Sequence, residues 1–334
     1  MKAEYKGITV MNAVLCLCVV MIHLTAVPVV HLTYGGFYQI MAFINKALCF
    51  SVPAFIFLSG YKLYVKYDNK KIDIPGFYIG RIKKIFLPYC ISVFAYFIYF
   101  YSKRMAGFSE LPENIFLGTR DSHFYYIIIA LQLYLIFPFV SYAFKKLPGI
   151  TTVVSLLITV LCIGFAKFIY ADRFMGTFIF YFVLGMLFSK YKIAEKCEKH
   201  IFIGAGIYLL SLIAHVGIKR MTEYKGIAYP GENYVNLIYV AISVVFLIGL
   251  CIRLAEKSDY IYGISQKISG VSFSVYLYHV LVMRILRYDV LRSLNLTVRN
   301  LFFVLTLLLY LIIFIYAFSS YALKRNKDRR SRND

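Results

Sequence analysis

The 334-residue sequence has no tryptophan and only 16 aspartates and glutamates. Charged residues make up just 16% of it. That leaves no long polar stretch from which a separate soluble domain could be built, and no internal repeat or low-complexity segment is evident. The seven cysteines are Cys16, Cys18, Cys49, Cys90, Cys162, Cys197 and Cys251. Their number is odd and nearly all fall within apolar runs, so they read as small packing residues and not as a disulfide framework. Cys16 and Cys18 have no further Cys/His pair at zinc spacing, which argues against a metal site. The first apolar run is too long for a signal-peptide core, and no small-residue cleavage site stands out beyond it. It is expected to be a retained first span.

What is present is apolar surface. Hydrophobic residues account for 61% of the chain and mean hydropathy is +0.71, far outside soluble composition. About twenty apolar residues cross a bilayer as a helix. By that measure about ten spans are expected: 8–28, 38–63, 85–102, 123–144, 149–170, 172–189, 200–218, 233–253, 269–288 and 300–323. The expectation is therefore an all-α, polytopic helical bundle. One integral membrane domain covers 1–323, and a basic tail covers 324–334. The net charge of +21 is not a nucleic-acid signal, because the basic residues sit mostly in short loops between apolar runs. With the N-terminus inside, 24 lysines and arginines fall on the inner side against 11 on the outer. This pattern puts both termini in the cytoplasm and makes the tail a topology anchor beside anionic lipid. The longest outer loops, 103–122 and 219–232, carry both signs of charge and are ordinary solvated loops or the lining of an outer mouth.

Polar side chains inside these runs point to chemistry. His23 lies near one end of the first run, and intramembrane ionisable groups are functional candidates by default. Histidine as a residue type gains and loses a proton near neutral pH, which suits acid–base work. Asn12 is eleven residues earlier, a rotation of about 1100°, within about 20° of three full turns. The two side chains therefore share one face, separated by about 16 Å along the axis. The bland reading of that stripe is a pair of interhelical hydrogen bonds. Lys46, inside the second span, either snorkels to the outer interface or serves an anionic group. Pro53 and Gly60 in the same span mark a break or a kink. Arg81, Lys83 and Lys84 enter the third span from the cytoplasm and suit the phosphates of a cytosolic donor, or simply anchor topology. Ser272, Tyr276 and His279 fall at i, i+4 and i+7 and form one polar face. Ser272 and His279 are about 10 Å apart along the helix, so they are not a nucleophile–base pair. His31, His200 and His215 lie in or near loops and receive no functional weight.

These segments, in this order, resemble the acyltransferase-3 family of bacterial integral membrane acyltransferases. The resemblance covers roughly 6–320. It rests on the run ending in His23, on Val52-Pro53-Ala54-Phe55-Ile56-Phe57-Leu58-Ser59-Gly60-Tyr61, on Arg81-Ile82-Lys83-Lys84 before Leu87-Pro88-Tyr89, and on His123-Phe124-Tyr125-Tyr126 leading to Gln132-Leu133-Tyr134 and Pro138. Phe182-Val183-Leu184-Gly185-Met186 and Ser272-Phe273-Ser274-Val275-Tyr276-Leu277-Tyr278-His279 complete it. The family's first-helix motif is an arginine followed after ten residues by a histidine. The histidine matches His23, but Asn12 stands where the arginine is expected, and asparagine can only hydrogen-bond where arginine pairs with an anion. Lysines stand at 83 and 84 where arginines are common, and Tyr126 stands near a frequent tryptophan.

The resemblance implies transfer of an acyl group, acetyl or succinyl, from cytoplasmic acyl-CoA to a hydroxyl of a cell-surface or lipid-linked glycan. It places the protein in the bacterial cytoplasmic membrane as a multi-pass enzyme. Acyl-CoA, the glycan and the lipid bilayer are its partners, with no nucleic acid and no permanently bound cofactor. His23 is the expected catalytic residue, as general base or acyl carrier. Arg81, Lys83, Lys84, Asn12 and Lys46 are expected at the donor, and His123, Tyr276 and His279 at the acceptor or oxyanion. The competing readings are a transporter or flippase for a glycan intermediate, and a catalytically silent member of a glycan-assembly complex.

Overall fold

The computed structural model describes residues 2–68, 70–226, 229 and 231–333; of 2, 3, 224, 225 and 327–333 it describes the backbone alone. The elements are α1 (Lys2–His31), α2 (Gly36–Ala47), α3 (Ser51–Tyr67), α4 (Ile74–Arg81), α5 (Leu87–Ser102), α6 (Leu111–Leu117), α7 (Tyr125–Lys146) and α8 (Pro148–Phe165). They continue with α9 (Ile179–Tyr191), α10 (Ile193–Lys199), α11 (Ile201–Lys225), α12 (Glu232–Lys257), α13 (Asp259–Ile285) and α14 (Val298–Asn333). No strand occurs among the described residues. The expected basic tail continues α14 as helix, with Asp334 and the side chains beyond Asn326 outside the described residues.

Among the described residues, nine helical stretches are long and apolar enough to cross a membrane. The difference from the expected ten lies at 172–189. Two 3₁₀ turns, Ala171–Arg173 and Met175–Thr177, occupy its start, and α9 begins only at Ile179. Its 13 residues extend about 20 Å, short of a hydrocarbon core of about 30 Å. Most of α9 is buried by protein.

The second expected span also divides. α2 stops at Ala47 and α3 starts at Ser51, so the chain is interrupted at Leu48–Phe50 and not at Pro53 or Gly60. Pro53 sits in the first turn of α3, where its missing N–H costs nothing. Gly60 has another use. A Cβ there would lie 1.9 Å from the Phe182 carbonyl oxygen, and a Cβ on Gly185 would lie 2.1 Å from that of Phe57. α3 and α9 therefore touch backbone to backbone, and only glycine allows it.

The chain forms two compact units, 1–52 with 194–334, and 53–193. In the first, α1 packs against α2, α12, α13 and α14. It is apolar nearly all round, as a helix enclosed by others must be. That enclosure turns the Asn12–His23 stripe into protein. In the second, α7 packs on α4, α8 and the turns after α8. Its aromatic core includes Phe77 stacked on Phe137 at 5.4 Å and Phe137 edge-on to Phe182 at 6.0 Å. Between α4 and α5 the helix widens into a π turn over Ile82–Phe86. Pro88 accounts for it: its ring crowds the carbonyl one turn back and offers no N–H to close the ordinary ladder.

Candidate functional site

The first unit brings His23 and His279 together. Their rings meet edge to face with centroids 5.0 Å apart and an interplanar angle of 61°. His279 is 2% exposed, and His23 is half-buried. Nδ1 of His279 lies 3.0 Å from the Val275 carbonyl and 2.9 Å from that of Tyr276. Carbonyl oxygens only accept, so Nδ1 carries the proton and Nε2 is the basic nitrogen of the neutral ring. The backbone of α13 thus fixes both the ring's tautomer and its direction. Tyr276 is buried beside it, with ring centroids 6.1 Å apart. The polar face of Ser272, Tyr276 and His279 expected on this helix is buried along its length.

Asn12 lies lower on the same stripe. Its Nδ2 donates to Ser272 Oγ at 2.8 Å and to Ser269 Oγ at 2.9 Å. The asparagine therefore ties α1 to α13 through two serine hydroxyls. Near His23, Asn45 of α2 donates to the Ile22 carbonyl at 2.9 Å and to Thr25 Oγ1 at 3.0 Å. Asn45 was missed in the sequence reading, although a polar amide inside an apolar run was there to be noticed. Lys46 Nζ pairs with Glu223 at 2.7 Å, its side chain 11% exposed, so its charge is met by a carboxylate of α11.

The second unit holds the basic entrance, and its three cations do not share a face. The Arg81 guanidinium lies over the rings of Phe77 (5.1 Å) and Tyr134 (5.3 Å), with Nε buried. Lys83 and Lys84 are exposed on the π turn. Tyr134 donates to Ser59 Oγ at 3.2 Å, which links Arg81 to a polar strip on α3 and α7. His123 is buried in the 3₁₀ turn before α7, with Nε2 3.5 Å from Tyr96 Oη and Nδ1 3.8 Å from Asp121 Oδ1. Asp121 is itself held by the Ser122 N–H at 2.8 Å. A carboxylate, an imidazole and a phenol thus stand side by side, the carboxylate at charge-pairing and not hydrogen-bonding distance from the ring.

His215 departs most from its sequence reading. It lies inside α11, not in a loop, and is 2% exposed. Its ring stacks parallel on Tyr239 at 4.4 Å, and Nε2 is 3.5 Å from Cys49 Sγ. The sequence gave no sign that these residues meet.

Comparison with known proteins places the sequence in a family. The family model described as an acyltransferase domain, acyltransferase-3, matches residues 5–320. A protein of Bacillus subtilis (strain 168), assigned as the membrane-bound acyltransferase YfiQ, is 26% identical over 314 residues, covering 84% of this chain and 81% of that one. Proteins of Staphylococcus aureus strains MSSA476 and MW2, assigned as poly-beta-1,6-N-acetyl-D-glucosamine export proteins, are each 21% identical over 310 residues, covering 85% and 83%. No solved structure matches the chain significantly. With the family model spanning nearly all of a sequence folded into apolar helices, the chain belongs to the acyltransferase-3 family of membrane acyltransferases.

Proposed function

We propose that this acyltransferase moves an acetyl or succinyl group from cytoplasmic acyl-CoA to a hydroxyl of a cell-surface or lipid-linked glycan in the bacterial cytoplasmic membrane. The observation that carries the reading is the His23–His279 pair, with one ring's tautomer fixed by backbone carbonyls inside an apolar bundle. An imidazole set against a ring held this way is positioned to take a proton from a hydroxyl as its oxygen attacks the thioester carbon. His23 is the base in this scheme, or carries the acyl group itself, and His279 orients it. Tyr276 and His123 serve the acceptor or the developing oxyanion. Arg81, Lys83 and Lys84 meet the donor's phosphates, with Lys83 and Lys84 as the solvent-facing contacts and Arg81 as the rigid one. Asn12 and Lys46 line the donor's path from their partnered positions.

Both termini lie in the cytoplasm in this scheme, with α9 as the short tenth crossing. Its burial within protein supports that, since a helix sheltered from lipid need not match the bilayer thickness. Reporter fusions at residues 1 and 334 test the topology; opposite-side signals would remove α9 from the count.

The function is tested by deleting the gene, rescuing with wild type or His23→Ala, and analysing surface glycan by mass spectrometry. Loss of an ester from intact glycan is the expected result for His23→Ala. Full ester content in that variant overturns the assignment of His23. The names of the Staphylococcus relatives favour a second reading, movement of a glycan intermediate. Intracellular glycan build-up with none at the surface is its signature.

A further inference from the structure

We propose that Cys49 is a second reactive centre, a thiol that accepts the acyl group as a protein-bound thioester, with His215 as its base. The inference rests on the acyl-transfer reading above and adds a covalent step to it.

The site is built around the interruption between α2 and α3. Tyr239 Oη donates to the Ala47 carbonyl at 2.6 Å, capping the open end of α2. The same tyrosine ring carries His215 face to face, with an interplanar angle of 4°. Nε2 of His215 stands 3.5 Å from Cys49 Sγ, and the thiol donates to Asn236 Oδ1 at 3.4 Å, so the sulfur lies between an acceptor amide and the imidazole. A thiol, a base in contact with it, and an aromatic ring that fixes the base's plane are the parts of an activated nucleophile. Cysteine used only as packing calls for none of these neighbours. The interruption frees Cys49 from the regular helix, and the residue is half-buried.

The chain just before this thiol is tied to the histidine pair's helix. Asn45 bonds to Ile22 and Thr25. Cys49, just beyond Asn45 in the chain, therefore follows the part of α2 that is tied to α1 at Ile22 and Thr25. A polar column also leads away from it. His215, Lys219 and Thr222 recur at helical spacing on α11, and Lys219 and Thr222 both bind Glu232. The column ends where α11 turns toward α12.

The chemistry balances without a further reagent. Cys49 Sγ attacks the acyl carbon of acyl-CoA as Nε2 of His215 takes its proton. The C–S bond to CoA breaks, and the proton leaves on the CoA thiol. One thioester replaces another, so the exchange is close to thermoneutral. In the second half the acceptor oxygen attacks the Cys49 thioester. A C–O bond forms, the C–S bond breaks, and the net movement of the acceptor's proton is to Sγ. The acyl group thus reaches the acceptor without the bulk of CoA having to follow it.

The full-length protein in native membranes is incubated with radiolabelled acetyl-CoA, quenched in acid and digested for mass spectrometry. The expected result is acetyl on Cys49, removed by neutral hydroxylamine and absent in Cys49→Ala. His215→Gln slows its formation about a hundredfold. Cys49→Ser, which conserves shape, accumulates an oxygen ester that neutral hydroxylamine leaves in place. It carries the test if the alanine variant does not reach the membrane. Wild-type glycan esterification in Cys49→Ala or Cys49→Ser, or an acyl adduct confined to His23, overturns the Cys49 relay and leaves the acyl-transfer reading standing. A wild-type protein that esterifies no glycan overturns both.

Discussion

His23 and His279 lie 256 residues apart in sequence and meet ring to ring at 5.0 Å. The contact joins α1 to α13 at the one level of the bundle where two imidazoles face each other. Nδ1 of His279 is committed to backbone carbonyls, and the proposed mechanism accordingly treats the pair as a unit and not as two independent bases.

Replacing either histidine by alanine is therefore expected to lower glycan ester formation by about 10²- to 10⁴-fold. The double variant should fall little further, because groups that act together are not additive. Ester content per glycan, normalised to membrane protein level, measures this. Multiplicative losses in the double variant would show that the two rings work separately.

Asn12→Ala removes hydrogen bonds to Ser269 and Ser272 without touching either histidine. Interhelical polar contacts of this kind are worth about 0.6 kcal/mol on average and up to about 2. The variant should melt slightly lower in detergent, and Ser272→Ala should add less in the Asn12→Ala background than alone. Full additivity of the two melts would mean that the Asn12–Ser272 bond carries no coupling.

Gly60→Ala and Gly185→Ala each set a methyl about 2 Å from a backbone carbonyl that cannot swing aside. Overpacking costs about 1–3 kcal/mol even where side chains can adjust, so the loss here should reach or exceed that range. Monodispersity on size-exclusion chromatography and the amount of protein in the membrane report it. Wild-type yield from Gly60→Ala would contradict the backbone contact between α3 and α9.

The basic entrance should separate into two behaviours. Lys83→Ala and Lys84→Ala are expected to raise KM for acyl-CoA, more at low salt, with little change in thermal stability. Arg81→Ala removes a guanidinium held over Phe77 and Tyr134. It should destabilise the protein by about 0.5–2 kcal/mol as well as weaken donor binding, and Arg81→Lys should rescue only part of the loss. Titrating acyl-CoA against each variant and melting the same preparations distinguishes the cases. Identical profiles for Arg81→Ala and Lys83→Ala would undo the distinction.

Length and hydropathy along the chain determined that it is a helical membrane protein, and they placed nearly every span. Helical periodicity determined that Asn12 shares a face with His23, and Ser272 with Tyr276 and His279. Both are properties of one helix, fixed by about 100° of rotation per residue, so the sequence contains them in full. Which faces meet is a different matter. The contacts between His23 and His279, Asn12 and Ser272, and Cys49 and His215 join residues far apart in sequence, and no local pattern encodes a partner. Only the packing of α1, α2, α11 and α13 decided them. The same holds for Arg81, one of three adjacent cations in the sequence. A π turn forced by Pro88, with Phe77 and Tyr134 waiting on one side, turned it inward and left Lys83 and Lys84 outside.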